Sequence, residues 1–372
     1  MISTTFTQWP LAKQHVLVRI DGNVPLHNDT IVNDFRLRAV EPTIRYLCNR
    51  GAFVTLITHI GNPRGYDPSV STRPIAFWFN ERQMPVLVLE NTRFDPREKK
   101  GDQKFSQTLA HGHDYFINDA WGTMHRNDAS IVALAKCFAP EQRSCGFLVQ
   151  LETEKLSRLR NHPKRPFTLF LGGGKTIDKL RYLPTLIEQE RLNHLVILPG
   201  IAHTFLAANG ANGGKSPVHN DLFELCNTIK KLCHHHHVEL HLPVDLLVGE
   251  GSWQGVKQIR AAESLQADDV SISIGPKSLE TFQGIINRSE SIFFNGIMGE
   301  PRIHGTLEFS ERLLTAIGMS SAYTVIGGGD TVTLAERCNL SDYFSFCSSG
   351  GGSTLAYIAG TQLPGLSVFE NQ

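Results

Sequence analysis

The chain has 372 residues, 41% hydrophobic and 19% charged, with 36 lysines plus arginines against 36 aspartates plus glutamates. That length allows about two domains, and the zero net charge argues against a general nucleic-acid or membrane-surface binder, so any anion recognition must be local. Seven scattered cysteines without a C-x-x-C pair, a start without an apolar signal core ("MISTTFTQWPLAK") and the absence of an apolar run near ~20 residues are the pattern of a reduced, cytoplasmic protein.

The first 150 residues alternate apolar runs with polar, glycine-marked turns. "HVLVRIDGN" reads as strand then loop, "RLRAVEPTIRYLCNRG" as a helix ending at Gly51, and "AFVTLITHIGNPRG" as strand then loop; "MPVLVLENTRF" and "HDYFINDAWGTMHR" repeat the pattern. Near-continuous runs of valine, isoleucine and leucine are those of parallel strands covered on both faces, and helices between them make βαβ units of a doubly wound sheet. "FLVQLETEKLSRLR" then places Leu148, Leu151, Leu156 and Leu159 on one side of a helix, and "NHPKRP" breaks it. That helix is the expected connector. The alternation resumes with "FTLFLGGGK", "HLVILPGIAH", "VELHLPVDLLV", "VSISIGPK", "SIFFNGIMGE", "AYTVIGGGDT" and "YFSFCSSGGGST", which together predict a second doubly wound domain. The run "CHHHH" from Cys233 to His237 reads as a solvated loop or helix end, because adjacent histidines are poorly placed to share one metal.

"LGGGKTIDK", Leu171 to Lys179, has the look of a phosphate cradle. It is no P-loop: the first glycine of G-x-x-x-x-G-K-[ST] would fall on Leu169. The weaker logic survives, since glycines after a strand let backbone approach a ligand and a following helix offers its first N–H groups. Lys175 and Lys179, four apart, would share a helix face. Any one such turn is more often a tight connection than a site. Three triplets, however, Gly172–Gly174, Gly327–Gly329 and Gly350–Gly352, follow apolar runs in the same half. In an open α/β sheet they would meet at the carboxyl edge, where a polyphosphate would bind. Asp330 is placed to meet a nucleotide's Mg²⁺, Thr331 to donate to a phosphate, and Asn295 ends a neighbouring strand on that edge. In the first half the strand-end loops carry Asp21 and Asn23, then His59, Arg93 and Arg126, with Arg36 opening a helix. A basic crown in a neutral protein points to a small polyanion, because the guanidinium fork matches carboxylate and phosphate. One phosphate-rich site and one basic pocket on separate domains suggest phosphoryl transfer with closure.

Taken together, "VLVRIDGNVPL", "THIGNPRG", "ENTRF", "INDAWGTMHR", "PKRPFTLFLGGGKTIDK", "HLPVDLLV", "IGPKS", "NGIMG", "VIGGGDT" and "SSGGGSTL" resemble, in order and spacing, the phosphoglycerate kinase family over nearly the whole chain. The resemblance implies two doubly wound three-layer α/β/α domains with parallel sheets: residues 1–150 for phosphoglycerate, residues 151–354 for nucleotide, a hinge helix at 151–162, and the segment 355–372 packing back on the first domain. It implies a monomer exchanging a phosphoryl group between 1,3-bisphosphoglycerate with Mg-ADP and 3-phosphoglycerate with Mg-ATP. By motif position, Asp21, Asn23, Arg36, His59, Arg93 and Arg126 would hold phosphoglycerate, and Arg36 and Lys175 would stabilise the moving group. Lys179, Asn295, Gly328, Gly329, Asp330 and Thr331 would meet nucleotide phosphates, Asp330 would reach Mg²⁺, and Gly173 and Gly200 would border the adenine. The sequence departs from the family at several points. Asn62 stands for an arginine, with Arg64 two residues on; Leu198 and Pro199 stand for glycines; Glu300 to Arg302 lie in a shortened stretch near the ribose; Phe346 replaces a histidine, and Gly22 a phenylalanine. The alternative reading is a family relative kept for binding or regulation with catalysis weakened.

Overall fold

In the computed structural model, residues 5–174 and 179–370 are described. The chain forms two compact units, one of residues 1–156 with 362–372, the other of residues 157–361.

The first unit is built on a parallel sheet of β1 (His15–Ile20), β4 (Phe53–Ile57), β5 (Val86–Val88), β6 (Tyr115–Asp119) and β7 (Arg143–Cys145), in the order β5-β4-β1-β6-β7. A two-stranded antiparallel ribbon, β2 (Leu26–His27) with β3 (Thr30–Ile31), projects from the loop after β1. Every residue of β1 beyond His15 is buried, as befits a central strand whose apolar run only Arg19 interrupts. Helix Phe35–Asn49 presents Leu37, Val40, Ile44 and Leu47 at helical spacing, all fully buried; each such side chain contributes about 1.5–3 kcal/mol relative to exposure. The helix stops where Gly51 takes a positive φ of 75°. Segment 362–370 belongs to this unit: the Gly365 N–H donates to the Met124 carbonyl at 2.9 Å, and Leu363, Leu366 and Phe369 are buried.

Helix Phe147–Asn161 carries the chain from one unit to the other, the boundary falling after Leu156. The expected leucine stripe is corrected at one position. Leu148, Leu156 and Leu159 are buried, but Leu151 is 41% exposed and Glu152 occupies the buried face instead. Four-residue steps from Leu148 lead to Glu152 and Leu156, whereas Leu151 falls off that line.

The second unit holds a parallel sheet of β8 (Phe167–Leu171), β9 (His194–Ile197), β10 (Glu239–His241), β14 (Ser291–Asn295), β15 (Tyr323–Gly327) and β16 (Phe346–Ser348), ordered β10-β9-β8-β14-β15-β16. Phe170 and Phe294, on the adjacent central strands, pack with their ring centroids 6.0 Å apart, and Phe170 meets Phe282 of helix Pro276–Ile286. Two runs read as members of this sheet lie elsewhere. β11 (Asp245–Glu250) and β13 (Asp269–Ile274) pair antiparallel, with β12 (Lys257–Ala261), in a separate sheet ordered β12-β11-β13. Six residues link β11 to β12, too few for the crossover a parallel pair needs.

Candidate active site

Both sheets are doubly wound, and each reverses direction between two neighbouring strands: β1 and β6 in the first unit, β8 and β14 in the second. The crevice at the carboxyl ends of such a pair is where ligands bind in open α/β sheets.

In the first unit this edge gathers the predicted residues. Asp21 and Asn23 follow β1, His59 follows β4, Arg93 lies in the turn after β5, and Arg126 lies beyond β6. Arg36, in the first turn of helix Phe35–Asn49, donates from Nη1 to the Asn23 carbonyl at 2.6 Å and lies 3.5 Å from Asp21 Oδ1. The Asn23 side chain accepts from the Gly61 N–H at 2.8 Å, and Arg93 Nη1 donates to the Gly61 carbonyl at 2.7 Å, so one turn orients both groups. Arg19, Arg36, Arg93 and Arg126 all act electrostatically on His59. Burial first, and then these cations, hold the His59 imidazole neutral, well below its ordinary pKa. Arg19 Nη2 lies 3.1 Å from His59 Nδ1. A guanidinium only donates, so Nδ1 accepts and the ring proton sits on Nε2 as an outward donor.

Sequence reasoning passed over Arg19 because it lies inside an apolar strand. It is fully buried, donates from Nε to Ser130 Oγ at 2.8 Å, and is balanced by Glu98, which takes hydrogen bonds from the Ser130 hydroxyl (2.6 Å) and N–H (3.0 Å). A charged residue in the centre of an otherwise apolar parallel strand was the available signal, since such a group must be paired. The remaining donors are unspent. Arg36 Nε, Arg93 Nε and Nη2, and Arg126 Nε are buried with no hydrogen-bond partner among the described residues. Arg93 Nη2 lies 3.5 Å from Asp128 Oδ2, an electrostatic contact without hydrogen-bond geometry. A cleft of about 710 Å³ opens beside Asn23 and Gly61, walled by the β2–β3 ribbon, Ser69 and Val70.

The second unit's edge is made of backbone. The Gly172 N–H donates to the Asn295 carbonyl (3.0 Å), and the Gly173 N–H to the Pro199 carbonyl (3.2 Å). Gly173, Gly200, Gly296 and Gly328 all have positive φ. A Cβ on Gly296 would lie 2.1 Å from the Gly172 oxygen, and one on Gly200 would lie 2.7 Å from that of Gly173, so these turns touch with no room for side chains. Asn295 Nδ2 donates to the Gly327 carbonyl at 2.6 Å, and Cβ positions on Gly328 and Gly351 would both fall within 3.3 Å of it. The three triplets therefore converge around Asn295. Gly329 begins helix Gly329–Arg337; Asp330, in its first turn, is exposed, while Thr331 is buried and its hydroxyl accepts from the Gly296 N–H at 3.0 Å. Lys179 Nζ donates to the Gly172 carbonyl and lies 3.5 Å from that of Asn295. Lys175 lies outside the described residues.

A phosphoglycerate kinase family model matches residues 6–82 and 77–361. The chain belongs to the phosphoglycerate kinase family. It is 33% identical over 389 residues to the phosphoglycerate kinase of Akkermansia muciniphila, covering 96% of each, and 34% identical over 382 residues to that of Campylobacter lari, covering 96% of this chain and 95% of the relative. Among solved structures, the phosphoglycerate kinase of Pyrococcus horikoshii superposes with a TM-score of 0.85 at 26% identity over 99% of this chain and 98% of that one. The enzyme of Coxiella burnetii gives 0.78 at 27% over 98% of each. As a phosphoglycerate kinase the protein is a phosphotransferase, with two three-layer α/β/α domains.

The departures from the family pattern have local structural settings. Asn62 and Arg64 are both exposed. A Cβ on Gly22 would lie 2.7 Å from Ile75 Cδ1 and 2.8 Å from Thr58 Oγ1, so Ile75 and Thr58 fill the space a larger side chain would need. Leu198 is buried against Gly172, whose Cβ would come 2.9 Å from that of the leucine. In the shortened stretch Glu300 pairs with Arg302 at 2.9 Å, a hydrogen bond that keeps the carboxyl below its usual pKa, and Thr306 ties the turn by donating to the Glu300 and Ile303 carbonyls. Phe346 is half-buried.

Proposed function

We propose that the chain transfers a phosphoryl group reversibly between 1,3-bisphosphoglycerate with Mg-ADP and 3-phosphoglycerate with Mg-ATP, holding phosphoglycerate on the first unit and nucleotide on the second. The observation that carries this reading is the set of unspent buried donors on Arg36, Arg93 and Arg126 around the neutral His59. A buried polar group without a partner costs about 1–3 kcal/mol, and an oxyanion ligand would supply the missing acceptors. Asp21 and Asn23 would orient Arg36 and contact the substrate. Arg36, and Lys175 by motif position, would stabilise charge spreading over the transferred oxygens, where oriented cations act most strongly.

On the second unit, Gly173 and Gly200 would border the base. Lys179, Asn295, Gly328, Gly329 and Thr331 would line the phosphates, largely through backbone N–H groups. Asp330 suits Mg²⁺, since it is an exposed carboxylate beside the glycine turns and Mg²⁺ is held by one or two carboxylates plus substrate phosphates. The ion, when bound with nucleotide, neutralises phosphate charge. We place the hinge in helix Phe147–Asn161, read the enzyme as a monomer acting on small molecules alone, and place it in the cytoplasm, in keeping with seven free thiols. No helix among the described residues is long and apolar enough to cross a membrane.

A coupled assay with 3-phosphoglycerate and Mg-ATP tests the reading. Turnover at ordinary enzyme rates, of the order of 1–10³ s⁻¹, is expected. Folded protein that binds phosphoglycerate by calorimetry yet shows no turnover with any common nucleoside triphosphate would establish the binding-protein alternative.

A further inference from the structure

On one outermost pair of parallel strands of the second unit, with His194 opening β9 and the Gly200 turn following that strand's other end, three metal-ligating side chains converge. Glu239 and His241 stand two residues apart on β10, where strand alternation puts them on one face; Glu239 is the register partner of His194. Their ligand atoms form a nearly equilateral triangle. His194 Nδ1 lies 3.3 Å from His241 Nε2 and 3.4 Å from Glu239 Oε2, and the last two atoms are 3.6 Å apart.

Hydrogen bonding explains this triangle poorly. A charge-assisted N–H···O bond is about 2.7–2.9 Å long, and both nitrogen–oxygen separations exceed that. His194 can turn an N–H toward the Glu239 carboxylate, but satisfying the carboxylate from both rings would set two N–H groups on nitrogens only 3.3 Å apart. Tetrahedral coordination explains it well. Zinc binds nitrogen and carboxylate oxygen at about 2.0–2.2 Å, and the edge of a tetrahedron of that radius is about 3.3–3.6 Å, which is the range observed.

We propose that His194 Nδ1, His241 Nε2 and Glu239 Oε2 form a site for one Zn²⁺-class divalent ion, with a fourth position open to water. His194 is buried and His241 largely so, whereas the Glu239 side chain is 64% exposed, so the site is closed on the protein side and accessible from the other. Burial is the leading cause holding both imidazoles below their ordinary pKa, and the neutral ring is the ligating form. Arg288 brings positive charge toward both rings and opposes the ion, while Glu239 offsets it. β10 is three residues long and lies at the sheet edge, so a bound ion would bridge it to β9 and fasten a short edge strand. The neighbouring histidine run is not part of the site: its His236 pairs instead with Glu190 at 3.2 Å.

The test uses the full-length, reduced, metal-stripped protein titrated with Zn²⁺ against a chromophoric chelator, and with Co²⁺ followed by its visible absorption. One Zn²⁺ per chain at micromolar affinity or tighter is expected, with a four-coordinate Co²⁺ spectrum and a rise in Tm. His241→Gln should weaken binding roughly 100-fold and Glu239→Gln roughly tenfold, with folding verified by circular dichroism. A variant with His234 to His237 all changed to Gln should bind as the parent does. Failure of the parent to bind Zn²⁺ up to millimolar concentration, binding undiminished in a folded His241→Gln protein, or binding lost in the His234–His237 variant would each overturn the proposal.

Discussion

The two sheet edges solve one problem in different materials. The first unit concentrates charge: four guanidinium groups around one neutral imidazole, oriented by carbonyls and offset by buried Glu98 and Asp128. The second uses backbone, with positive-φ glycines, of which Gly200 and Gly296 lie so close to neighbouring backbone that no Cβ fits, and Asn295 at the centre. A side-chain site discriminates by the number and direction of its charges and can be erased one residue at a time. A backbone site is indifferent to most substitutions and fails when bulk is added.

The largest effect expected from this contrast is at Arg36. Arg36→Met should lower kcat by about 10²–10³, or about 3–4 kcal/mol in barrier, with a smaller change in phosphoglycerate affinity measured by calorimetry. Equal losses in both would mean that Arg36 serves binding rather than transfer.

Next comes the cost of burying charge in the first unit. Asp119, the last residue of β6, is fully buried; its Oδ1 accepts from the Val149 N–H at 3.0 Å, and Oδ2 has no hydrogen-bond partner among the described residues. Burial pushes its pKa up to about 7, against hydrogen bonds from Thr43 and the following helix. Because the folded pKa is raised, the stabilising contribution is present below the unfolded value near 3.8 and is lost as pH rises through about 7. Asp119→Asn should therefore raise stability at pH 8 by up to about 4 kcal/mol. The advantage should shrink through neutrality and disappear near pH 4, as urea titrations at several pH values would reveal. A pH-independent difference would show that Asp119 does not titrate there.

A smaller effect probes the backbone site. Gly328→Ala introduces a side chain at φ 94°, with its Cβ 3.0 Å from Asn295 Nδ2, at a cost of roughly 1–3 kcal/mol. Nucleotide affinity should fall by about tenfold while phosphoglycerate affinity is unchanged. Parallel losses for both ligands would dissolve the distinction between the two edges.

The smallest effect is a flat profile. Since His59 is already neutral near pH 6.5, KM for 3-phosphoglycerate should show no step there that His59→Gln removes. The stability that His59 contributes is present above 6.5 and is lost as pH falls below it toward the depressed folded value. A step near 6.5 abolished by His59→Gln would mean that the imidazole is charged in the free enzyme.

Residues on strand-end loops were readable in the sequence because a parallel sheet sends all its carboxyl ends to one edge. Asp21, His59, Arg93 and Arg126 could be grouped without knowing the strand order. Arg19 could not, because its importance depends on register: it sits between Ile57 of β4 and Asn118 of β6, beneath His59. The separate antiparallel sheet was missed because "DLLVGE" and "DVSISI" have the buried apolar character of parallel strands. The short "GSWQGV" link was the contrary signal. The His194, Glu239 and His241 triangle was out of reach, since two of its members meet the third across a strand pairing that residue spacing does not reveal.

The placement of Leu363, Leu366 and Phe369 in the first unit bears on how the protein is made. A ribosome completes residues 1–156 and then must thread 205 more, the whole of the other unit, before those apolar plugs emerge. At usual elongation rates that is a wait of roughly ten to forty seconds. During it the nascent first unit lacks the packing of Gly365 against Met124 and the buried side chains of that segment, whereas the later-made unit is complete once its own residues emerge.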